Sequence, residues 1–138
     1  MSRHIEATFE IASWDETPFE DSDENAKLTE ALVSKKYSGD IKATSTTKWL
    51  MAYAPDKTAL YVGIERIKGT VGGRDGTLVL LHDGAYQDGV ATADLRIASG
   101  TGELANAGGT GKFRADPAGS ITLDLDGLDT ATAEGSRR

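Results

Sequence analysis

The sequence predicts an all-β chain that closes into an antiparallel β-barrel of about eight strands, with little helix. Three observations lead there. Apolar and polar residues alternate with period two over most of the chain, as strands with one buried face require. Turn-forming glycine, proline and aspartate recur between the alternating runs at the spacing of consecutive hairpins. No amphipathic helical segment is left between the strands to cover a parallel sheet. All-β chains avoid exposed edges as sandwiches or closed barrels. Eight strands is about the number at which a barrel fills itself or holds one small ligand.

The elements follow in order. In "HIEATFEIASW", Ile5, Ala7, Phe9 and Ile11 alternate with Glu6, Thr8 and Glu10, predicting a half-buried strand from His4 to Trp14. "KLTEALVSKKYSG" is ambiguous, since Leu28, Leu32 and Lys36 suit a helix while Val33, Lys35 and Tyr37 suit a strand. The tight "SGD" connection (Ser38–Asp40) favours a strand over Thr29–Tyr37. "IKATSTTKWLMAYAP" runs extended to Pro55, and "APDKT" then turns because proline presets φ and aspartate stabilises the bend. "TALYVGIERIKG", "TLVLLHDGAYQDG" and "VATADLRIA" are three further strands. The glycine corner "GTVGGRDG" separates the first two, and the hairpin dipeptide Asp88-Gly89 separates the last two. "GKFRADPAGSITLDLDG" closes the fold as a hairpin turning at "DPAG". Residues 1–128 form one domain, and the patternless 129–138 reads as a flexible tail.

Composition narrows the function classes. Apolar residues at 38% and charged residues at 27% suit a folded rather than a disordered chain. A net charge of −7 with scattered cations argues against nucleic acid, although Lys48, Trp49 and Tyr53 mimic a stacking platform. No apolar run approaches a membrane span, and the first residues show no secretory pattern. The lack of cysteine fits a reducing cytoplasm and removes thiolate chemistry.

Metal and phosphate motifs fail in detail. Asp21, Asp23 and Asn25 have EF-hand spacing, but Ala26 replaces the turn glycine and Leu32 the bidentate glutamate. His4 and His82 are too few and too far apart to announce a metal site, so none is expected, and no cofactor either. The glycine-rich stretch "SGTGELANAGGTGKF" ends in Gly111-Lys112 like a P-loop. Its first glycine would fall at Asn106, however, and Phe113 lacks the hydroxyl that magnesium requires. A dinucleotide fingerprint would have to open a helix here, which Gly108, Gly109 and Gly111 would break. These glycines are read as sheet corners.

Four segments suggest a family: "FEIASWDE" (Phe9–Glu16), "LMAYAPD" (Leu50–Asp56), "GIERIKGTVGGRDGTLVLLHDG" (Gly63–Gly84) and "SGTGEL" (Ser99–Leu104). In this order they resemble a group of small uncharacterised bacterial proteins classed as a domain of unknown function. The resemblance spans about Arg3–Leu125 and implies an antiparallel barrel similar to plant allene oxide cyclase. It implies no substrate.

Trp14, Tyr53, Glu65 and His82 lie in the resembling segments and are the candidate ligand-binding residues of a barrel lumen. A carboxyl among apolar side chains is pushed towards neutrality, which would suit Glu65 as general acid or base with His82 or Tyr53 as partner. Against this, Leu60, Val62 and Ile64 form the more apolar face of their strand, which would send Glu65 outward to solvent or an interface. Three functions stay open. One is a barrel binding a small apolar molecule. Another is a cofactor-independent cyclase or isomerase. The third is a solid-cored interaction protein. Because Leu78 and Leu80 alternate with the equally apolar Val79 and Leu81, a homo-oligomer is expected.

Overall fold

The computed structural model describes residues 3–20, 27–116 and 118–127. Asp21, Asp23 and Asn25, part of the hairpin turn at Pro117, and the expected tail lie outside them. The described chain forms eight strands: β1 (Arg3–Glu20), β2 (Leu28–Gly39), β3 (Ile41–Tyr53), β4 (Ala59–Val71), β5 (Arg74–Gln87), β6 (Val90–Gly102), β7 (Gly108–Ala115) and β8 (Gly119–Asp126). Each pairs antiparallel with the next, and β1 pairs with β8, so the sheet is a closed up-and-down barrel. The strands are not spaced evenly round its axis.

The turns form where the chemistry allows them. Gly72-Gly73 and Asp88-Gly89 both hold the paired positive φ angles of tight hairpins, +59°/+83° and +56°/+80°. The glycine-rich stretch ends β6, turns through Glu103–Asn106 and begins β7, so its glycines do serve as corners.

Two strands depart from the sequence reading. β1 continues past Trp14 to Glu20, and a bulge leaves Ala12 unpaired between Ile11 and Ser13. The extra residue resets the alternation. Ile11 stands opposite Lys35 and Trp14 opposite Val33, so both point inward. On β4 the apolar face lies outside, with Leu60, Val62 and Ile64 all exposed, while Ala59, Tyr61, Glu65 and Ile67 are buried. The outward placement considered for Glu65 is thereby corrected.

The core is asymmetric along the barrel. One end is packed solid by Ile5, Ile41, Val71, Leu78 and Leu125, and capped by Leu104 from the β6–β7 loop, all fully buried. The other end carries aromatic rings: Trp14, Trp49, Tyr53, Tyr61 and Tyr86. There β1 pairs with β8 only over Arg3–Phe9. Beyond Phe9 it pairs, among the described residues, with β2 alone, so the ring is sealed less far on that side.

Candidate binding site at the barrel mouth

Strand alternation brings Lys35 and Tyr37 from β2, Trp49 from β3, Glu65 from β4 and His82 from β5 into the middle of the lumen. Lys35, Glu65 and His82 have no side-chain exposure. The Glu65 carboxylate accepts hydrogen bonds from Tyr37 Oη (2.5 Å), His82 Nε2 (2.8 Å) and Lys35 Nζ (3.3 Å). Trp49 Nε1 donates to His82 Nδ1 at 3.3 Å. An indole nitrogen can only donate, so His82 Nδ1 accepts and the ring proton sits on Nε2, facing Glu65. The ammonium of Lys35 lies 4.8 Å, 4.9 Å and 5.0 Å from the ring centroids of Phe9, Trp49 and Phe113. Three rings thus supply the charge stabilisation that water would give outside.

Burial and pairing compete in this network. Burial alone would push the Glu65 carboxyl up; the Lys35 ammonium and the hydrogen bond from His82 outweigh it and hold the carboxyl at about 2. Burial wins for the bases: it pulls His82 and Lys35 below their ordinary values despite the opposing pull of Glu65. Glu65 is therefore a fixed carboxylate rather than the neutral acid expected from an apolar lumen.

Above this network lies open space. A cleft of about 810 Å³ at the barrel mouth is lined by Trp14, Glu16, Thr29, Met51, Tyr53 and Tyr86, with Lys27 and Lys57 at its rim. An apolar crevice of about 60 Å³ runs deeper between Phe9, Trp14, Trp49, Met51, Tyr61 and Phe113. Trp14, Met51 and Tyr86 line both, so the two adjoin. Trp14 is 45% exposed and stands 5.4 Å from Trp49, ring to ring. Glu16, on the inward side of β1 beyond the bulge, accepts from Trp14 Nε1 (3.0 Å), Thr29 Oγ1 (2.6 Å) and Tyr53 Oη (2.6 Å). Partial burial raises its pKa, but these three hydrogen bonds and the Lys27 charge bring it below the ordinary value. Lys27 rests over the Tyr53 ring at 5.3 Å.

Of the four candidate residues, Trp14 and Tyr53 line the mouth cleft. Glu65 and His82 meet each other below it and line neither the cleft nor the crevice. Sequence reasoning passed over Glu16, Lys35 and Tyr37. Lys35 and Tyr37 share odd-numbered parity with the buried Ala31 and Val33, a signal that was available. For Glu16 the signal was its two-residue spacing from Trp14. Among the described residues, no group of three or more His, Asp or Glu side chains could hold a metal ion.

Residues 5–126 match the family described as protein of unknown function DUF3224. The chain belongs to the DUF3224 family. A crystal structure of a DUF3224 protein of unknown function from Shewanella oneidensis MR-1 is similar at 25% identity, with a TM-score of 0.72. The likeness covers 91% of this chain and 98% of that one, so the DUF3224 barrel is shared nearly end to end. No curated protein matches this DUF3224 chain. These findings carry the family and its barrel, and no substrate. No helix among the described residues of this DUF3224 protein is long and apolar enough to cross a membrane.

Proposed function

We propose that the protein binds a small, largely apolar molecule at the open mouth of its barrel. The observation that carries this reading is the aromatic cleft adjoining an apolar crevice across the shared Trp14, Met51 and Tyr86, at the end where β1 leaves β8. Small-molecule sites are concave, mostly apolar and furnished with a few placed polar groups. Glu16, Tyr53 and Lys27 are those groups here, held by one another before any ligand arrives.

Glu65 and His82, the pair a cyclase or isomerase would use, lie beneath the aromatic floor with their polar atoms engaged. Their role in this reading is to fix Trp49, the floor of the crevice. The solid-core alternative describes only the far half of the barrel, where Ile5, Ile41 and Leu78 fill the lumen. A chain without cysteine suits a reducing, cytoplasmic setting.

The test is a titration with N-phenyl-1-naphthylamine, a neutral apolar fluorophore, followed by quenching of tryptophan emission. Saturable one-to-one binding is expected. Trp14→Ala, at a half-exposed position, should weaken it about ten-fold, the loss of ~1.4 kcal/mol of ring contact. Unsaturable partition, or unchanged affinity in Trp14→Ala, would overturn the proposal.

A further inference from the structure

Outward-facing residues of β7, β8 and β1 up to its bulge are polar or charged, among them Glu6, Thr8, Glu10, Lys112, Arg114 and Asp124; Phe19, farther along β1, is exposed. Those of β2 to β5 mix charged residues such as Lys36, Lys42, Lys48 and Arg66 with large aliphatic ones. Leu32, Leu50, Leu60, Val62 and Ile64 are each 47–68% exposed. Leu50 stands opposite Val62, and Ile64 opposite the half-buried Leu81, so with Leu60 these side chains form one patch over β3 to β5, while Lys48 stands between Ile64 and Leu32 on β2. It lies on the outside of the wall, away from the mouth cleft, and is confined to one flank of the barrel.

We infer that this flank is an interface between two copies of the chain. Size is the first argument. With strands ~4.8 Å apart and same-face side chains ~6.8 Å apart, a patch three strands wide and three rows long projects roughly 300 Å². That is the size of the largest apolar patch on a typical monomer, which is often a functional surface. The charged flank around it has to supply the rest of the ~800 Å² per partner that a stable interface needs.

Charge is the second argument. Two chains of net charge −7 repel one another over most of their surfaces. At this patch the cations gather: Lys48, Arg66 and Lys68 border it on β3 and β4. Glu30 pairs with Lys48 at 3.5 Å, and Asp83 stands opposite Val62, so the rim carries both signs. A second copy related by a two-fold axis brings the same mixed rim, which can match opposite charges where an acidic flank could not. The apolar outer face of β4, which misdirected the reading of Glu65, is then the face that the partner copy covers.

Sedimentation equilibrium of the full chain tests the inference. The wild type should run at twice its 14.6 kDa mass at micromolar concentration and stay so in ~0.5 M salt, where surface charge is screened. Val62→Lys should shift it to the monomer with unchanged circular dichroism, because that side chain faces outward. Leu60→Ser with Ile64→Ser should do the same without adding charge, while Thr8→Lys on β1 should leave the dimer intact. A wild type that is monomeric throughout, including one that instead binds anionic vesicles, would overturn the inference. So would a dimer that all these variants preserve.

Discussion

Trp49 lies directly opposite Gly63 across the β3–β4 pair, with its ring over the space where a side chain would stand. A Cβ added at Gly63 would fall 2.3 Å from Trp49 Cδ1 and 2.5 Å from the Lys48 carbonyl oxygen. The relationship recurs: Tyr61 faces Gly84 and Phe9 faces Gly119, each ring against the bare backbone of the neighbouring strand. Three rings that surround the crevice therefore owe their positions to glycines, and fit an eight-stranded lumen because those glycines yield the room.

Gly63→Ala should accordingly destabilise the protein by about 1–3 kcal/mol through overpacking. Gly108→Ala, where an added Cβ meets nothing within 4 Å, should be close to neutral. Urea denaturation of the two variants side by side checks the difference.

The buried ion pair should behave as a unit. Lys35→Met alone leaves the Glu65 carboxylate without its cation, and Glu65→Gln alone leaves the ammonium without its anion. Each should cost about 3–5 kcal/mol. The double variant Lys35→Met/Glu65→Gln strands no charge and should recover much of that loss. A double-mutant cycle in urea reads the coupling, and simple additivity would contradict the geometry.

Acid should weaken the fold in two stages. His82 has a folded pKa below its unfolded value of 6.5, so as pH falls through 6.5 the unfolded chain takes up a proton that the native chain refuses. Glu65 is held at about 2 against 4.5 when unfolded, so its contribution is complete above 4.5 and drains away between 4.5 and 2. Both act in one direction: stability falls from neutrality downward. Thermal unfolding at pH 7.5, 5.5 and 4 should show a steadily decreasing Tm, and His82→Gln should flatten the upper part of that fall.

The tautomer of His82 is a separate expectation. With Trp49 Nε1–H donating to Nδ1, nitrogen-15 NMR should find His82 neutral at pH 7 and protonated on Nε2. Trp49→Phe removes that donor while keeping an aromatic floor. It should raise the population of the other tautomer and cost about 1–3 kcal/mol for the unpaired ring nitrogen and the smaller ring.

The hairpins were legible because their chemistry is local. Asp88-Gly89 and Gly72-Gly73 announce backbone angles that few other residues adopt. Trp14 and Tyr53 were legible as lumen residues because bulky rings at a strand end have few other uses. Glu65 was not. Alternation measures which face of a strand is more apolar, and on β4 the lumen side holds Tyr61, a glycine and a glutamate while the outer side holds Leu60, Val62 and Ile64. That rule assumes a greasy inside and a wet outside. A buried charge network on one face and an apolar flank on the other invert both assumptions at once. The far half of β1 was obscured by Pro18 and its acidic neighbours, which read as loop. The bulge at Ala12 shifts which residues face inward, and nothing in the residue itself signals it.

The short seam between the first and last strands has a kinetic consequence. Every other pairing joins neighbours in sequence, whereas Arg3–Phe9 must find Gly119–Leu125 across more than a hundred residues. Loop-closure entropy places such a step late in assembly, after the meander of hairpins has formed. The same seven pairs end at Phe9, where the crevice begins. The join that closes the cylinder last is therefore the one that borders its opening.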